Sequence, residues 1–441
     1  MENSLLNDDL SLENLLDNWQ TLTPSKREEV FAILGRIDQE ELFINLSSDY
    51  QAELFEDFPH AEKRSWIRLL APDDIADLIQ NLNEDAQTEA LRYLDYATLV
   101  EVKVLMAYAE DEAGGLMNSR FARLRPEMTV EEAIRYLRAQ SKSHIETIYY
   151  AYVLDRAQVL LGVVSLRELF LAKAQSTVSE NMNTDLVTVL QDEDQESISK
   201  TFSNHNFLAI PVVDELNVMK GIITVDDVVE VIEEEATEDI QKLGGMEALG
   251  EPYLDISLPS MIKKRAGWLM ALFVGEMFTA TAMSHYEHDI AKAVVLALFI
   301  PLVISSGGNS GSQATTLIIR AMALGEVRLK DWWRVLSREL VSGLSLGLIL
   351  GSIGMARILL WPGKETIYGE HYLLVALTVS LSLVGIVLWG TLAGSMLPFF
   401  LRRVGLDPAT SSAPFVATLV DVTGLVIYFT VASFFLKGIL L

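Results

Sequence analysis

The stretch SAPFVATLVDVTGLVIYFTVASFFL, Ser412–Leu436, reads as a helix buried in lipid, and its only charge is Asp421. A carboxylate at the centre of a membrane helix costs roughly 2.5 to 3.5 kcal/mol, so such acids usually face a bundle interior or a water-filled path. The segment therefore predicts two things together: a membrane-spanning fold, and a polar route inside it.

Four more long apolar segments precede it, near 266–286, 293–319, 335–360 and 372–401. Each is close to the roughly 20 residues required to cross a bilayer. Basic residues cluster at Lys263, Lys264 and Arg265, at Arg320, Arg328, Lys330, Arg334 and Arg338, and at Arg402 and Arg403. With five spans and a cytosolic N-terminal region, all three clusters fall on the inner side, as the positive-inside bias expects. The C-terminus then lies outside.

Charge divides the 441 residues sharply. The net charge is -27 and the mean hydropathy +0.26, yet residues 261–441 hold 14 of the 34 basic side chains and only 10 of the 61 acidic ones. The acidity therefore belongs to the first 260 residues, which repel nucleic acid and anionic surfaces and concentrate cations. No nucleic-acid partner is expected. With no Cys, disulfides, thiolate catalysis and zinc–thiolate sites are excluded. MENSLLNDDLSLENLL lacks the basic start and apolar core of a secretory signal, so this region is expected to stay in the cytosol.

Residues 1–115 carry Leu, Ile and Phe at helical spacing, interrupted by LTPSK, NLSSD and LLAPDD. This pattern fits short packed helices, either a small superhelix or an ordinary bundle. A repeat follows. YVLDRAQVLLGVVSLREL, 152–169, matches PVVDELNVMKGIITVDDV, 211–228, pairing Asp155 with Asp214, Gly162 with Gly221 and Ser165 with Thr224. The constant offset predicts a duplicated βαββα unit.

Three segments could carry chemistry. In the second span, PLVISSGGNSGSQATTLIIR has Gly307 and Gly311 at the spacing that lets helices pack closely. Alternatively, Pro301, Gly307 and Gly308 loosen the helix beside a water-filled cavity, with Asn309, Ser310, Ser312 and Gln313 offering polar atoms to a hydrated ion. Asp421 fits a cation path, a protonated buried acid, or a pair with Arg357. Glu276 is open between pore-facing and structural. The ladder Gly343, Gly347, Gly351 predicts a packing surface. VDDVVEVIEEEATEDI sets Asp227, Glu230, Glu234 and Glu238 along one helical face, with Glu235 and Asp239 beside them. That run is either a solvated face or a site for a hard divalent cation, which takes carboxylate oxygens.

DEAGGLM (111–117), ETIYYAYVLD (146–155), GIITVDDVVEVIEEEATEDI (221–240), SSGGNSGSQATTLIIRAMA (305–323) and APFVATLVDVTGLVIY (413–428) closely resemble the MgtE family of magnesium channels. The resemblance covers nearly the whole chain. It implies a multi-domain protein of the inner membrane, assembled as a homodimer: an all-α superhelical N-domain (1–115), an α/β tandem CBS pair (116–177 and 178–238), a connecting plug helix (239–263) and a five-helix transmembrane domain (264–441). It also implies that Asp421 from each copy holds a hydrated Mg²⁺ at the twofold axis, with Asn309, Ser312, Pro414 and Glu276 as candidate pore-lining residues. Regulatory Mg²⁺ falls, by the same resemblance, on Asp227, Glu230, Glu235, Glu238, Asp239, Asp194, Glu196, Glu41, Asp73 and Asp77. Thr224 with Asp227 fits the pattern by which CBS pairs bind adenine nucleotides, so ATP is a further ligand ranked behind Mg²⁺. Asn206 stands where a member of the family has an acid, and Ala413 where some members carry Asn.

The function expected is a Mg²⁺-selective channel for uptake, closed by internal Mg²⁺ when its crowded cytosolic carboxylates are filled. The alternative is a proton-coupled or less selective transporter of Mg²⁺, Co²⁺ or Mn²⁺ with nucleotide-modulated CBS domains. A membrane-anchored nucleotide sensor is a third reading. An enzyme is not expected, because no nucleophile and base pair or phosphate-binding loop stands out.

Overall fold

The computed structural model describes residues 11–140, 145–250 and 252–439. The chain divides into two compact units, one ending at Glu235 and one starting at Ala236.

In the first unit, eight short α-helices lie between Leu12 and Leu105 among the described residues. Turn residues end each helix after seven to ten residues, so each buries only one face, around Trp19, Phe43, Phe55 and Trp66. Trp66 stacks on Phe58 with ring centroids 4.7 Å apart. The sixth of these helices, α1 (Pro72–Gln80), carries Asp73, Asp74 and Asp77.

The duplication expected from the sequence is present as β1 (Arg123–Leu124), α2 (Val130–Gln140), β2 (Tyr150–Leu154) and β3 (Leu160–Ser165), then β4 (Val189–Leu190), α3 (Gln195–His205), β5 (Ala209–Val213) and β6 (Met219–Thr224). Each copy forms a three-stranded sheet, parallel β1–β2 and antiparallel β2–β3 in the first and the same in the second, with Val153 opposite Gly162 and Val212 opposite Gly221.

The repeated residues have mechanical reasons. Asp155 Oδ1 accepts from the amides of Ala157 and Val159, and Asp214 Oδ1 from those of Leu216 and Val218, closing equivalent hairpin turns. A Cβ on Gly162 would lie 3.0 Å from the carbonyl of Asn183, and one on Gly221 2.7 Å from that of Asn118, so both glycines admit a crossing chain. Ser165 and Thr224 start helices by similar local bonds, Ser165 with Glu168 and Thr224 with Asp227. The helical core runs without a break into the second copy, where Val189, Phe202, Ile210 and Ile223 join it.

α4 (Val225–Leu243) starts in the first unit and ends in the second. The expected separate plug helix over 239–263 is not formed. α4 ends where Gly244 is followed by Gly245 at φ +75°, a left-handed stop that glycine adopts without strain. The described residues that follow, 246–250 and 252–256, are irregular, and Ser257 caps α5 (Leu258–His285), with Pro259 in the first turn, where a missing amide costs nothing.

Among the described residues, the second unit holds five helices long and apolar enough to cross a membrane: α5, then α6 (Ile300–Ala323), α7 (Trp332–Leu359), α8 (Tyr372–Arg403) and α9 (Ala413–Leu436). The loosening expected around Gly307 and Gly308 does not occur. α6 is regular across both, because Pro301 occupies its second position and displaces no helical bond. Gly307 and Gly311 serve close packing instead: a Cβ on Gly311 would meet the Gly390 carbonyl of α8 at 3.0 Å and Val416 of α9 at 2.8 Å. The Gly343–Gly351 ladder packs as expected, Gly347 lying directly against the Val384 backbone.

Candidate ion path and cation-binding carboxylates

Asp421 is the ninth of the 24 residues of α9, three to four residues before the helix centre. Its half-buried carboxylate has no hydrogen-bond or ion-pair partner among the described residues. It lies against the bare backbone of Gly308, whose Cβ position is 3.6 Å from Oδ1 and 3.4 Å from Ala417 Cβ. A larger residue at 308 would fill the space beside the acid. On α6 the faces divide: Gly307, Ser310 and Gly311 are buried, with the Ser310 hydroxyl donating to the Val387 carbonyl at 3.4 Å, while Asn309 is exposed. Ser312 donates to the Ala413 carbonyl at 3.1 Å, fixing α6 to the start of α9.

α5 reaches the same region, since a Cβ on Gly275 would lie 2.9 Å from Thr418 Cγ2. Glu276 is exposed there and within electrostatic reach of Asp421. Arg357 does not neutralise Asp421. It donates to the Tyr368 hydroxyl at 3.1 Å and stacks over Trp361 at 3.4 Å, so pairing with that arginine is removed as an explanation of the acid. Pro414 borders the connection from α4: Gly245 lies against both Pro414 and Trp268, and Trp268 donates to Ser412 at 3.1 Å. Lys242 pairs with Asp407 at 2.8 Å and with Glu238 at 2.6 Å. These pairs tie the end of α4 to the turn before α9 and, outweighing the ammonium's partial loss of water, hold it charged to higher pH than usual.

In the first unit, α1 and α4 bring carboxylates together. Asp73 is 7 % exposed, and its Oδ1 accepts from Asn118 Nδ2 at 3.0 Å, while the same amide donates to Glu146 Oε2 at 2.9 Å. Burial, then repulsion from Asp74, Asp227 and Glu146, holds the Asp73 carboxyl well above the usual range. Burial also pushes Asp77 up to about 8, reinforced by Asp74, Asp227, Glu110 and Glu230, and Asp227 up to about 7 against two bonds from Thr224. Glu230 is raised by loss of water first and then by Glu234 and Asp74. The amide of Asn118 is a weak counterweight to this much negative charge.

Asp74 and Glu146 belong to this cluster and are not among the ligands expected from the sequence. Asp74 adjoins Asp73 in APDDIADL, and Glu146 opens ETIYYAYVLD, but only the fold places them beside α4. Among the described residues, no three His, Asp or Glu side chains converge closely enough to hold a bare ion.

Other expected ligands have local roles. Asp194 caps α3 through the Glu196 amide, and Glu196 pairs with Lys200 at 2.6 Å. Glu235 accepts from Gln195 at 2.7 Å, Asp239 is half-buried on α4, and Glu41 is exposed on the helix Arg36–Asn45. Asn206 ends α3 in the left-handed conformation, φ 54°, which L-residues other than Asn and Asp resist.

Residues 10–111 match a model described as the MgtE intracellular N domain, 113–174 and 177–234 match the CBS domain, and 300–431 match MgtE, a divalent cation transporter. Over 430 residues, 97% of this chain and 93% of the relative, the chain is 40% identical to the magnesium transporter MgtE of Thermus thermophilus. It is 33% identical to the magnesium transporter MgtE of Enterococcus faecalis over 76% of this chain and 72% of the relative. A crystal structure of the cytosolic domain of the Mg²⁺ channel MgtE in complex with ATP is 37% identical, covers 52% of this chain and 92% of that chain, and aligns with a TM-score of 0.47. The chain belongs to the MgtE family of magnesium transporters, and is a multi-pass inner-membrane protein with cytosolic N-terminal domains and no enzymatic role.

Proposed function

We propose that two copies of this chain form a Mg²⁺-selective channel for uptake, with Asp421 of each copy facing a hydrated Mg²⁺ on the path between them. The observation that carries this reading is the unpaired Asp421 carboxylate beside the bare Gly308 backbone. Mg²⁺ dehydrates reluctantly and binds through one or two carboxylates plus its own waters, so it needs one acid and room, which Gly308 leaves. Asn309 and Ser312 extend that polar face of α6, and Pro414 and Glu276 border it.

The division into an N-domain (1–115), CBS motifs (116–177 and 178–238) and pore (264–441) is kept, with the end of α4 and the irregular chain to Ser257 as the connector. Internal Mg²⁺ acts on the carboxylates of Asp73, Asp77, Asp227 and Glu230, with Glu235, Glu238 and Asp239 further along α4. These residues fit a dication that keeps its waters: Asp73 is buried and Asp77 and Asp227 half-buried, the acids repel one another, no lysine or arginine pairs with these three among the described residues, and they do not converge as a bare-ion chelate requires. Neutralising them favours closing only through a difference in affinity between closed and open states. Lys242 and Gly245 transmit the change to the turn before α9. An adenine nucleotide ranks second, since the Thr224 hydroxyl is already engaged by Asp227 at 2.6 Å.

The test is Mg²⁺ flux into liposomes. Asp421→Asn should lower flux about ten- to a hundredfold, the loss of one charge-assisted contact. Unchanged flux would sink the reading. The proximity of Glu276 to Asp421 favours one rival, a proton-coupled transporter, which predicts flux driven against a Mg²⁺ gradient by pH.

A further inference from the structure

Near the expected outer end of the spans, the second unit contains an apolar groove of about 620 Å³ with a cation at its mouth. Phe299, Tyr368 and Leu383 are buried in its floor, while Leu302 and Ile353 line its open side at 46% and 60% exposure. Gly354 keeps the floor open, because a Cβ there would lie 2.8 Å from Leu383 Cδ1. Arg357 stands at the mouth, 25 residues or about 37 Å along α7 from Trp332, so the two ends of the helix span a bilayer's thickness. Trp361 and Tyr368 flank it, the aromatic residues that favour the headgroup level.

Arg357 has no carboxylate partner among the described residues, and neither has Lys364, which donates to the Leu359 carbonyl at 2.9 Å and lies over Tyr372. Glu365 and Glu370 share that loop and pair with neither cation. An arginine without an anion at the mouth of an exposed apolar groove, with a second such cation on the loop that follows α7, fits an amphipathic anion. Guanidinium matches a phosphate in bidentate geometry, and the groove runs from Arg357 to Leu350, about 10 Å along the helix, as an acyl chain would.

We propose that this groove is a binding site for an anionic phospholipid of the outer leaflet, its phosphate on Arg357 and Lys364 and one acyl chain between α6 and α7. The site is separate from the Asp421 path and does not depend on how the ion is conducted.

The experiment is native mass spectrometry of the full chain, counting lipids bound on titration with phosphatidylglycerol, with phosphatidylcholine, and with inorganic phosphate as competitor. The wild type should bind phosphatidylglycerol about tenfold more tightly than phosphatidylcholine. Arg357→Gln should bring the two lipids level, Arg357→Lys should keep the preference, and Leu302→Trp, at an exposed wall position, should weaken both lipids. Should Arg357→Gln fail to fold, Arg357→Lys and Leu302→Trp still decide. Equal affinity of the wild type for both lipids overturns the proposal, as does displacement of the lipid by phosphate alone. A Leu302→Trp chain that changes oligomeric mass while binding lipid normally also overturns it, and assigns the groove to a second copy.

Discussion

Asp77 offers the sharpest perturbation. Its carboxyl is raised from 3.8 to about 8, chiefly by burial. The unfolded chain loses that proton near pH 4 and the folded chain holds it to about pH 8, so over this window the folded state binds more protons. Stability is therefore highest below the unfolded value, falls as pH rises through the window, and levels off above it. At pH 7 the difference is about 3 units, on the order of 4 kcal/mol against the folded cluster. Asp77→Asn keeps the shape and removes the charge, so the variant should gain part of that sum, about 1–3 kcal/mol after its hydrogen-bonding losses. Amide hydrogen exchange of the full chain across α1 and the first turns of α4 reads this locally. Without Mg²⁺, wild-type protection should fall from pH 5 to pH 9, and the variant should be flatter and better protected at pH 8. Added Mg²⁺ should protect the wild type more at pH 8 than at pH 5, and the variant less than the wild type at both. If Asp77→Asn exchanged faster than wild type at pH 8 without Mg²⁺, or kept the full Mg²⁺ increment, the carboxylate would not be a charge awaiting a cation.

Three further substitutions probe the parts around it. Lys242→Met ends half-exposed ion pairs with Asp407 and Glu238 that are worth about 0.5–1 kcal/mol, so the Mg²⁺ concentration that halves flux should shift about two- to fivefold. Gly394→Val drives a side chain into the Gly311 carbonyl and to within 2.8 Å of Thr315 Oγ1, and should abolish the folded peak in size exclusion, whereas Gly385→Ala, whose Cβ meets only Ile427 at 3.4 Å, should run as wild type. Asn206→Ala should cost about 1 kcal/mol in chemical unfolding because alanine resists φ 54°, and Asn206→Gly should be close to neutral.

The spans and the duplication are legible in the sequence because each rests on local, repeated chemistry. Long apolar runs need no partner to be recognised, and Asp155, Gly162 and Ser165 recur as Asp214, Gly221 and Thr224 because both copies close the same turn, admit the same crossing chain and start the same helix. The connector is misread although its stop signals are present: Gly244–Gly245 and Ser257–Leu258–Pro259 end one helix and begin another, and family pattern outweighs them. Pro301 is overrated because proline disrupts only a helix interior. The carboxylate cluster is half legible. Spacing identifies Asp227 and Glu230 on α4, but nothing local joins them to Asp74 or Glu146, which lie far upstream and meet α4 only through the shared core.

The way the chain treats its acids separates structural charge from charge left for an outside partner. Where an acid serves the fold, a cation or an amide answers it: Asp407 has Lys242 and the Ala409 amide, Glu53 has Arg27, Asp214 has Lys220 and two turn amides. Asp421 in the membrane unit has no such answer among the described residues, and around Asp77 no lysine or arginine among them pairs with the acids: Asp73 and Glu146 share the Asn118 amide, and Asp227 has only the hydroxyl and amide of Thr224. A chain with 34 basic residues could have supplied one more at either place. Burying an unpaired charge costs more than burying a pair, so both arrangements are stable only when protons or cations arrive from solution. At Asp421 a proton would leave a neutral acid with nothing to attract a passing ion, whereas a hydrated dication satisfies the carboxylate and can move on.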